Sequence, residues 1–128
     1  MSGESILIVE DEGLIALHLF ELLESAGYRI TGTAYSGEVA LRDIGKSPLP
    51  DLILMDIALA GAIDGVETAR RIRQQFDIPI VFLTAYSNQS RIDEATAVSP
   101  YGYLKKPVMK DDLLETIRRA LDCRAGST

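Results

Sequence analysis

Cysteine, basic charge and long apolar runs are all scarce in this chain, and each scarcity removes a class of function. The single cysteine, Cys123, leaves no internal disulfide. No apolar run approaches the roughly 18 residues of a membrane span, and Met1-Ser2-Gly3-Glu4 lacks the basic and apolar regions of a secretory signal. No membrane partner is expected, and a cytoplasmic location is. With 13 basic side chains against 19 acidic ones the formal charge is −6, so attraction to a phosphate backbone cannot drive binding over the whole surface and direct nucleic acid binding is not expected. No internal repeat or low-complexity segment stands out.

The remaining composition is that of an ordinary globular protein, 47% hydrophobic and 25% charged. Its 128 residues suit a single domain over 1–128, with a core spanning about 5–123 and residues 124–128 as a flexible tail or the start of a linker.

Four short apolar runs punctuate the sequence: Ile6 to Val9, Leu52 to Met55, Ile78 to Leu83 with Pro79 inside it, and Tyr101 to Leu104. At least the first three lack alternation, which predicts strands covered on both faces, as in a parallel sheet flanked by helices. Tyr28 to Tyr35 is more polar and suits an edge strand. Helical segments fall between them: Gly13 to Ala26, Gly37 to Ile44, Val66 to Phe76, Asn88 to Val98 and Asp112 to Cys123. In the last, Leu113, Leu114, Ile117, Ala120 and Leu121 recur at three and four positions. Ser36 and Ser87 are candidate caps for the second and fourth helices, and Asp112 with Glu115 resembles a capping box. The pattern predicts an α/β fold, a (βα)5 doubly wound five-stranded parallel sheet with function at the strand C-termini.

Carboxylates gather at those ends. Glu10 and Asp11 follow the first strand and Asp56 the third, and these strands can lie side by side. Three like charges in a partly desolvated cleft raise one another's pKa values unless a cation joins them. A hard divalent ion such as Mg²⁺ meets that need, since it takes one or two carboxylates with water and phosphate oxygens. One acidic residue after a strand is usually a solvated loop position or a cap. Asp56 differs, because Met55 and Ile57 on either side argue for a semi-buried carboxylate, a group that can attack phosphorus. Thr84 closes the fourth strand with a hydroxyl. Lys106 closes the fifth with an ammonium that, with Mg²⁺, balances the three negative charges.

These residues resemble the response-regulator receiver family of two-component signalling. The resemblance runs from about Ser5 to Cys123 through Glu10-Asp11, Leu54-Met55-Asp56-Ile57, Asp64-Gly65, Leu83-Thr84-Ala85 and Gly102-Tyr103-Leu104-Lys105-Lys106-Pro107. It implies a flavodoxin-like strand order 2-1-3-4-5. It also implies Asp56 as phosphoacceptor, with Mg²⁺, or Mn²⁺ in its place, held by Asp11, Asp56, the Ala58 carbonyl and Glu10, the last usually through water. Thr84 matches the hydroxyl that bonds the phosphoryl group, Lys106 the lysine that pairs with it, Pro107 the cis-proline and Tyr103 the aromatic switch. Ala58 and Tyr86, two residues after Asp56 and Thr84, match positions that flank the water path and tune the lifetime of the acyl phosphate.

The implied activity is a switch that catalyses its own phosphorylation and slow dephosphorylation rather than an enzyme with an external substrate. Its implied partners are a histidine kinase or phosphotransfer protein and a downstream protein or output domain, met by the face of the fourth helix, fifth strand and fifth helix. Homodimerisation through the fourth-helix face is common in the family. Three departures are visible: Glu10 replaces the commoner Asp, Ala60-Gly61-Ala62-Ile63 replaces a Met-Pro turn, and Val108 replaces Phe. The alternatives are a phosphorylation-independent interaction module on the same fold and an aspartyl hydrolase. The first sits poorly with an intact acidic pair, acceptor and lysine, and the second expects Asp-x-Asp after the first strand. His18 reads as a helix-face residue, Cys123 as a packing or surface thiol, and Arg70, Arg71 and Arg73 as a solvated face pairing with Glu67.

Overall fold

The computed structural model describes residues 3–46, 48–85 and 89–126. Strands and helices alternate: β1 (Ser5–Val9), α1 (Gly13–Ser25), β2 (Arg29–Ala34), α2 (Gly37–Ile44), β3 (Leu52–Asp56), α3 (Gly65–Gln75), β4 (Ile80–Thr84), α4 (Gln89–Thr96), β5 (Gly102–Lys105) and α5 (Lys110–Gly126). The strands form one parallel sheet in the order β2-β1-β3-β4-β5. The chain therefore starts in the middle of the sheet, runs out to β2, and returns past β1 to build β3, β4 and β5.

Burial explains why the runs are continuous rather than alternating. Every residue of β1, β3 and β4 is buried, because side chains pointing to opposite faces meet helices on both. Leu7, Val9, Ile53, Met55, Ile80 and Phe82 pack with Ala40 and Ile44 of α2, Val66, Ala69 and Ile72 of α3, and Ala95 of α4. Their neighbours Ile6, Ile8, Leu52, Leu54, Val81 and Leu83 pack with Ala16, Leu19 and Leu23 of α1 and Leu113, Ile117 and Ala120 of α5. At the edge, β2 is largely exposed or half-buried, which accounts for its polar composition.

Local signals hold in most places. The Ser36 side chain accepts from the Val39 N–H at 3.1 Å and caps α2, whereas Ser87 lies outside the described residues. Pro79 precedes β4 rather than joining it, and its carbonyl accepts from the Ile53 N–H at 3.0 Å; a residue without an N–H cannot donate to the ladder. The capping box at Asp112 is corrected. Helix α5 begins two residues earlier, at Lys110, and the Leu113 N–H closes its first turn on the Met109 carbonyl at 2.9 Å. Asp111 and Asp112 stand inside that turn, where negative charge complements the helix's positive end. Glu115 points to solvent and pairs with Arg119 at 2.8 Å.

Candidate functional site

Pairing of β1 with β3 brings their C-terminal ends together, with Val9 opposite Met55. The next residues on each strand, Glu10 and Asp11 on one side and Asp56 on the other, converge: one carboxylate oxygen from each lies within 4.8 Å of the other two. Glu10 and Asp56 are buried and Asp11 is half-buried. Backbone donors fix all three. The Glu12 N–H bonds Glu10 Oε2 at 3.1 Å, the Ala60 N–H bonds Asp11 Oδ2 at 3.2 Å, and the exposed Ala58 bonds Asp56 Oδ1 through its N–H at 3.1 Å.

Lys106 enters from the neighbouring end of β5. Its N–H donates to the Thr84 carbonyl at 2.8 Å, and the peptide bond to Pro107 is cis. The ammonium lies 3.0 Å from Glu10 Oε1, 3.4 Å from Asp56 Oδ2 and 4.0 Å from Glu12 Oε1. Its side chain is only 18% exposed, whereas Lys105 is exposed. Two adjacent lysines are thus separated by the pleat of β5.

The electrostatics follow from burial and proximity. Burial first, then the charge of Asp56, push the Glu10 carboxyl from its ordinary 4.5 up to about 7, against the opposing pull of Lys106 and the Glu12 N–H. For Lys106 burial works against the charged form, yet the hydrogen bond to Glu10 and the charges of Asp56 and Glu10 outweigh it and hold the pKa above the usual lysine value. Glu10 Oε1 is fully buried, and the Lys106 ammonium at 3.0 Å is its ion-pair partner. A buried acidic oxygen beside two further carboxylates matches the all-oxygen donor set of a small hard cation.

Thr84, Tyr103 and Pro107 occupy the same end of the sheet. Thr84 is buried, and its hydroxyl donates to the Ala85 carbonyl at 3.2 Å. Tyr103 stacks on Phe82 with ring centroids 6.0 Å apart. Its hydroxyl sits 2.8 Å from Thr96 Oγ1 and 3.5 Å from the Ile92 carbonyl, both on α4. Tyr86 lies outside the described residues.

Several functional placements were not drawn from the sequence. Asp64 caps α3, its Oδ1 accepting from the Glu67 N–H at 2.9 Å. The spacing Asp64-Gly65-Val66-Glu67 carried that signal, being the pattern of a capping box. Gly65 is required by close approach, because a Cβ there would lie 2.0 Å from the Asp56 carbonyl oxygen. The loop Ala60-Gly61-Ala62-Ile63 is held by Asp11 at Ala60 and by Glu38 of α2, whose Oε2 accepts from the Ala62 N–H at 3.1 Å. Gly61 turns the chain there with φ +120°. Helix α1 also leaves Leu14 84% and Leu17 53% exposed. Leu14, Ile15, His18, Leu19, Pro107 and Val108 line a recess of about 480 Å³ that includes Lys106.

Comparison with known proteins agrees with this fold. Residues 6–118 match the family described as the response regulator receiver domain. The chain is 36% identical over 116 residues to the transcriptional regulatory protein PdtaR of Mycobacterium tuberculosis, covering 91% of this chain and 56% of that protein. It is 31% identical to the sporulation initiation phosphotransferase F of Bacillus subtilis, covering 98% of this chain and all of that one. Among solved structures, the signal receiver domain of a modulated diguanylate cyclase from Desulfovibrio desulfuricans superposes with a TM-score of 0.90 at 41% identity, covering 97% of this chain and 98% of that chain. The chain spans about half the length of the first curated relatives it matches. No helix among the described residues is long and apolar enough to cross a membrane. With the acidic cluster, the lysine and the 2-1-3-4-5 sheet all in hand, the chain belongs to the response regulator receiver family of two-component systems.

Proposed function

We propose that Asp56 accepts a phosphoryl group, in a Mg²⁺-dependent transfer from a phosphohistidine of a histidine kinase or phosphotransfer protein, and that the modified domain signals to a downstream partner in the cytoplasm. The observation that carries this is the buried Asp56 carboxylate, held by one backbone N–H and faced by the Lys106 ammonium at 3.4 Å, within reach of two further acidic side chains.

Glu10, Asp11, Asp56 and the Ala58 carbonyl would hold Mg²⁺, or Mn²⁺ in its place. That ion would neutralise the carboxylates and the charge developing on the transferring phosphoryl group. In the transfer, an oxygen of Asp56 forms the new O–P bond while the N–P bond of the donor breaks and its electron pair returns to the imidazole. Lys106, positioned by Glu10, pairs with the phosphoryl oxygens. Thr84 exchanges the Ala85 carbonyl for a phosphoryl oxygen. Tyr103 then moves into the space vacated, changing the face made by α4, β5 and α5. Ala58 and Tyr86 flank the path of hydrolytic water, and Tyr86 shields the acyl phosphate.

The donor's docking ground is the apolar recess between α1 and the Lys106–Val108 turn. Exposed Leu14 and Leu17 beside a reactive cleft suit a partner helix that carries a histidine to its rim.

The experiment is incubation with acetyl phosphate and Mg²⁺ followed by intact mass. A single phosphate adduct is expected on the wild type and none on Asp56→Asn. A wild type without adduct would leave a phosphorylation-independent module, and rapid multiple turnover a hydrolase.

A further inference from the structure

The loop after the acceptor and helix α4 are joined by an ion pair that phosphoryl chemistry does not use. Arg91, near the start of α4, pairs its Nη1 with Oδ2 of Asp64. The other oxygen of Asp64 caps α3, accepting from the Glu67 N–H at 2.9 Å. The next residue, Gly65, lies so tightly against the acceptor that an added Cβ would meet the Asp56 carbonyl oxygen at 2.0 Å. With no slack between Asp56 and the first turn of α3, a displacement of one moves the other.

Helix α4 is held quite differently. Of its side chains from 91 to 96 only Ala95 is buried, so apolar packing alone fixes its position weakly. Its far end hangs on Thr96, whose Oγ1 lies 2.8 Å from both the Ile92 carbonyl and the Tyr103 hydroxyl. Among the described residues, two polar links tie the ends of the helix to the rest of the domain. One leads through Asp64 and Gly65 to the backbone of the acceptor, and the other through Tyr103 to β5.

We infer that Arg91 is a positioning residue of the switch: its pair with Asp64 fixes the N-terminal end of α4 to the acceptor loop and passes the state of that loop to α4 alongside Tyr103. The coupling half of this inference rests on the proposed phosphorylation of Asp56, whereas the positioning half does not. Both partners of the pair are partly exposed, with side chains 41% and 28% accessible, so its effect is modest and local rather than global. A helix with a single buried side chain among residues 91–96 is the kind of element that a link of this strength can steer.

The test is amide hydrogen exchange over residues 92–96 in the wild type, Arg91→Ala, Arg91→Lys and Asp64→Asn, each with and without acetyl phosphate and Mg²⁺. Asn caps a helix about as well as Asp, so Asp64→Asn removes the charge while retaining the cap. Protection of residues 92–96 is expected to fall about fivefold in Arg91→Ala and Asp64→Asn, with β1 and β3 unchanged. The phosphorylation-dependent change in this segment is expected to shrink in the same two variants, and Arg91→Lys to recover part of both effects. Wild-type exchange of residues 92–96 in Arg91→Ala, in both states, would overturn the inference, as would a loss spread equally over β1 and β3. If the wild type forms no adduct, the phosphoryl reading fails by itself, and the samples without acetyl phosphate still decide whether Arg91 positions α4.

Discussion

Glu10 should make the metal-free protein less stable as the pH rises, the reverse of the usual behaviour of a paired carboxylate. Its folded pKa of about 7 lies above the ordinary 4.5, so between those values the folded chain holds a proton that the unfolded chain has released. Where the folded state binds more protons, stability falls with pH. The contribution is therefore intact below about pH 4.5 and lost as the pH climbs through 7. The separation corresponds to about 3 kcal/mol, a figure that already includes the opposing pull of Lys106 at 3.0 Å. Added Mg²⁺ competes with the proton for the Glu10 carboxylate, so its stabilisation should be smaller at pH 5 than at pH 7.5, where it reaches ~2.7 kcal/mol at a hundredfold excess over its Kd. Urea unfolding followed by circular dichroism at pH 5, 6 and 7.5, with EDTA or with Mg²⁺, measures each term. Glu10→Gln, a neutral isostere, should flatten the metal-free slope and exceed the wild type at pH 7.5. Metal-free stability that rises from pH 5 to 7.5, or an unaltered slope in Glu10→Gln, would refute the reasoning.

Two further outcomes follow from single residues. Gly65→Ala drives a methyl into the Asp56 carbonyl at 2.0 Å, which should cost about 3 kcal/mol and lower the Tm by roughly 10 °C in a calorimetric scan; a change below about 2 °C would mean that α3 is free to retreat. Tyr86→Ala should shorten the life of the phosphorylated form, read as the decay of the intact-mass adduct after acetyl phosphate is removed, and an unchanged decay would dismiss Tyr86 as a shield.

The fold was legible because its signals are local and repeated. A strand buried on both faces must be apolar at every position, so β1, β3 and β4 announced themselves, and polar β2 could only be an edge. Glu10, Asp11, Asp56, Thr84 and Lys106 were legible as a group for a related reason: each stands at a strand end, and parallel strands bring such ends to one rim. What the sequence hid depends on close approach between segments far apart in the chain. Nothing in Gly65 itself says that its missing Cβ would strike Asp56, and nothing in Glu38 says that it will hold the Ala62 N–H. The start of α5 was misplaced because Asp112 and Glu115 have cap-like spacing, whereas the backbone closes the turn earlier through Met109. Spacing is necessary for a cap, but the geometry of the preceding turn decides which residue occupies it.

The hydrogen bonds of Thr84 and Tyr103 bear on how completely the proposed switch can be thrown. In this state neither hydroxyl is idle, since Thr84 donates to the Ala85 carbonyl and Tyr103 is bonded to Thr96. Moving either side chain exchanges one hydrogen bond for another, a net change of only about 1 kcal/mol each way. Two arrangements so close in energy can coexist before any phosphoryl group arrives. Modification at Asp56 adds a charge-assisted bond from Thr84, about 1.5–3 kcal/mol, and strengthens the pairing with Lys106, which Asp56 already attracts. Against a starting gap of about 1 kcal/mol, that bond alone would leave the switched arrangement favoured by roughly twofold to thirtyfold, so a share of the starting state would persist and its size would also depend on what restrains α4. Through Asp64, the Arg91 pair is such a restraint, and a partner docked on the α4 face is another.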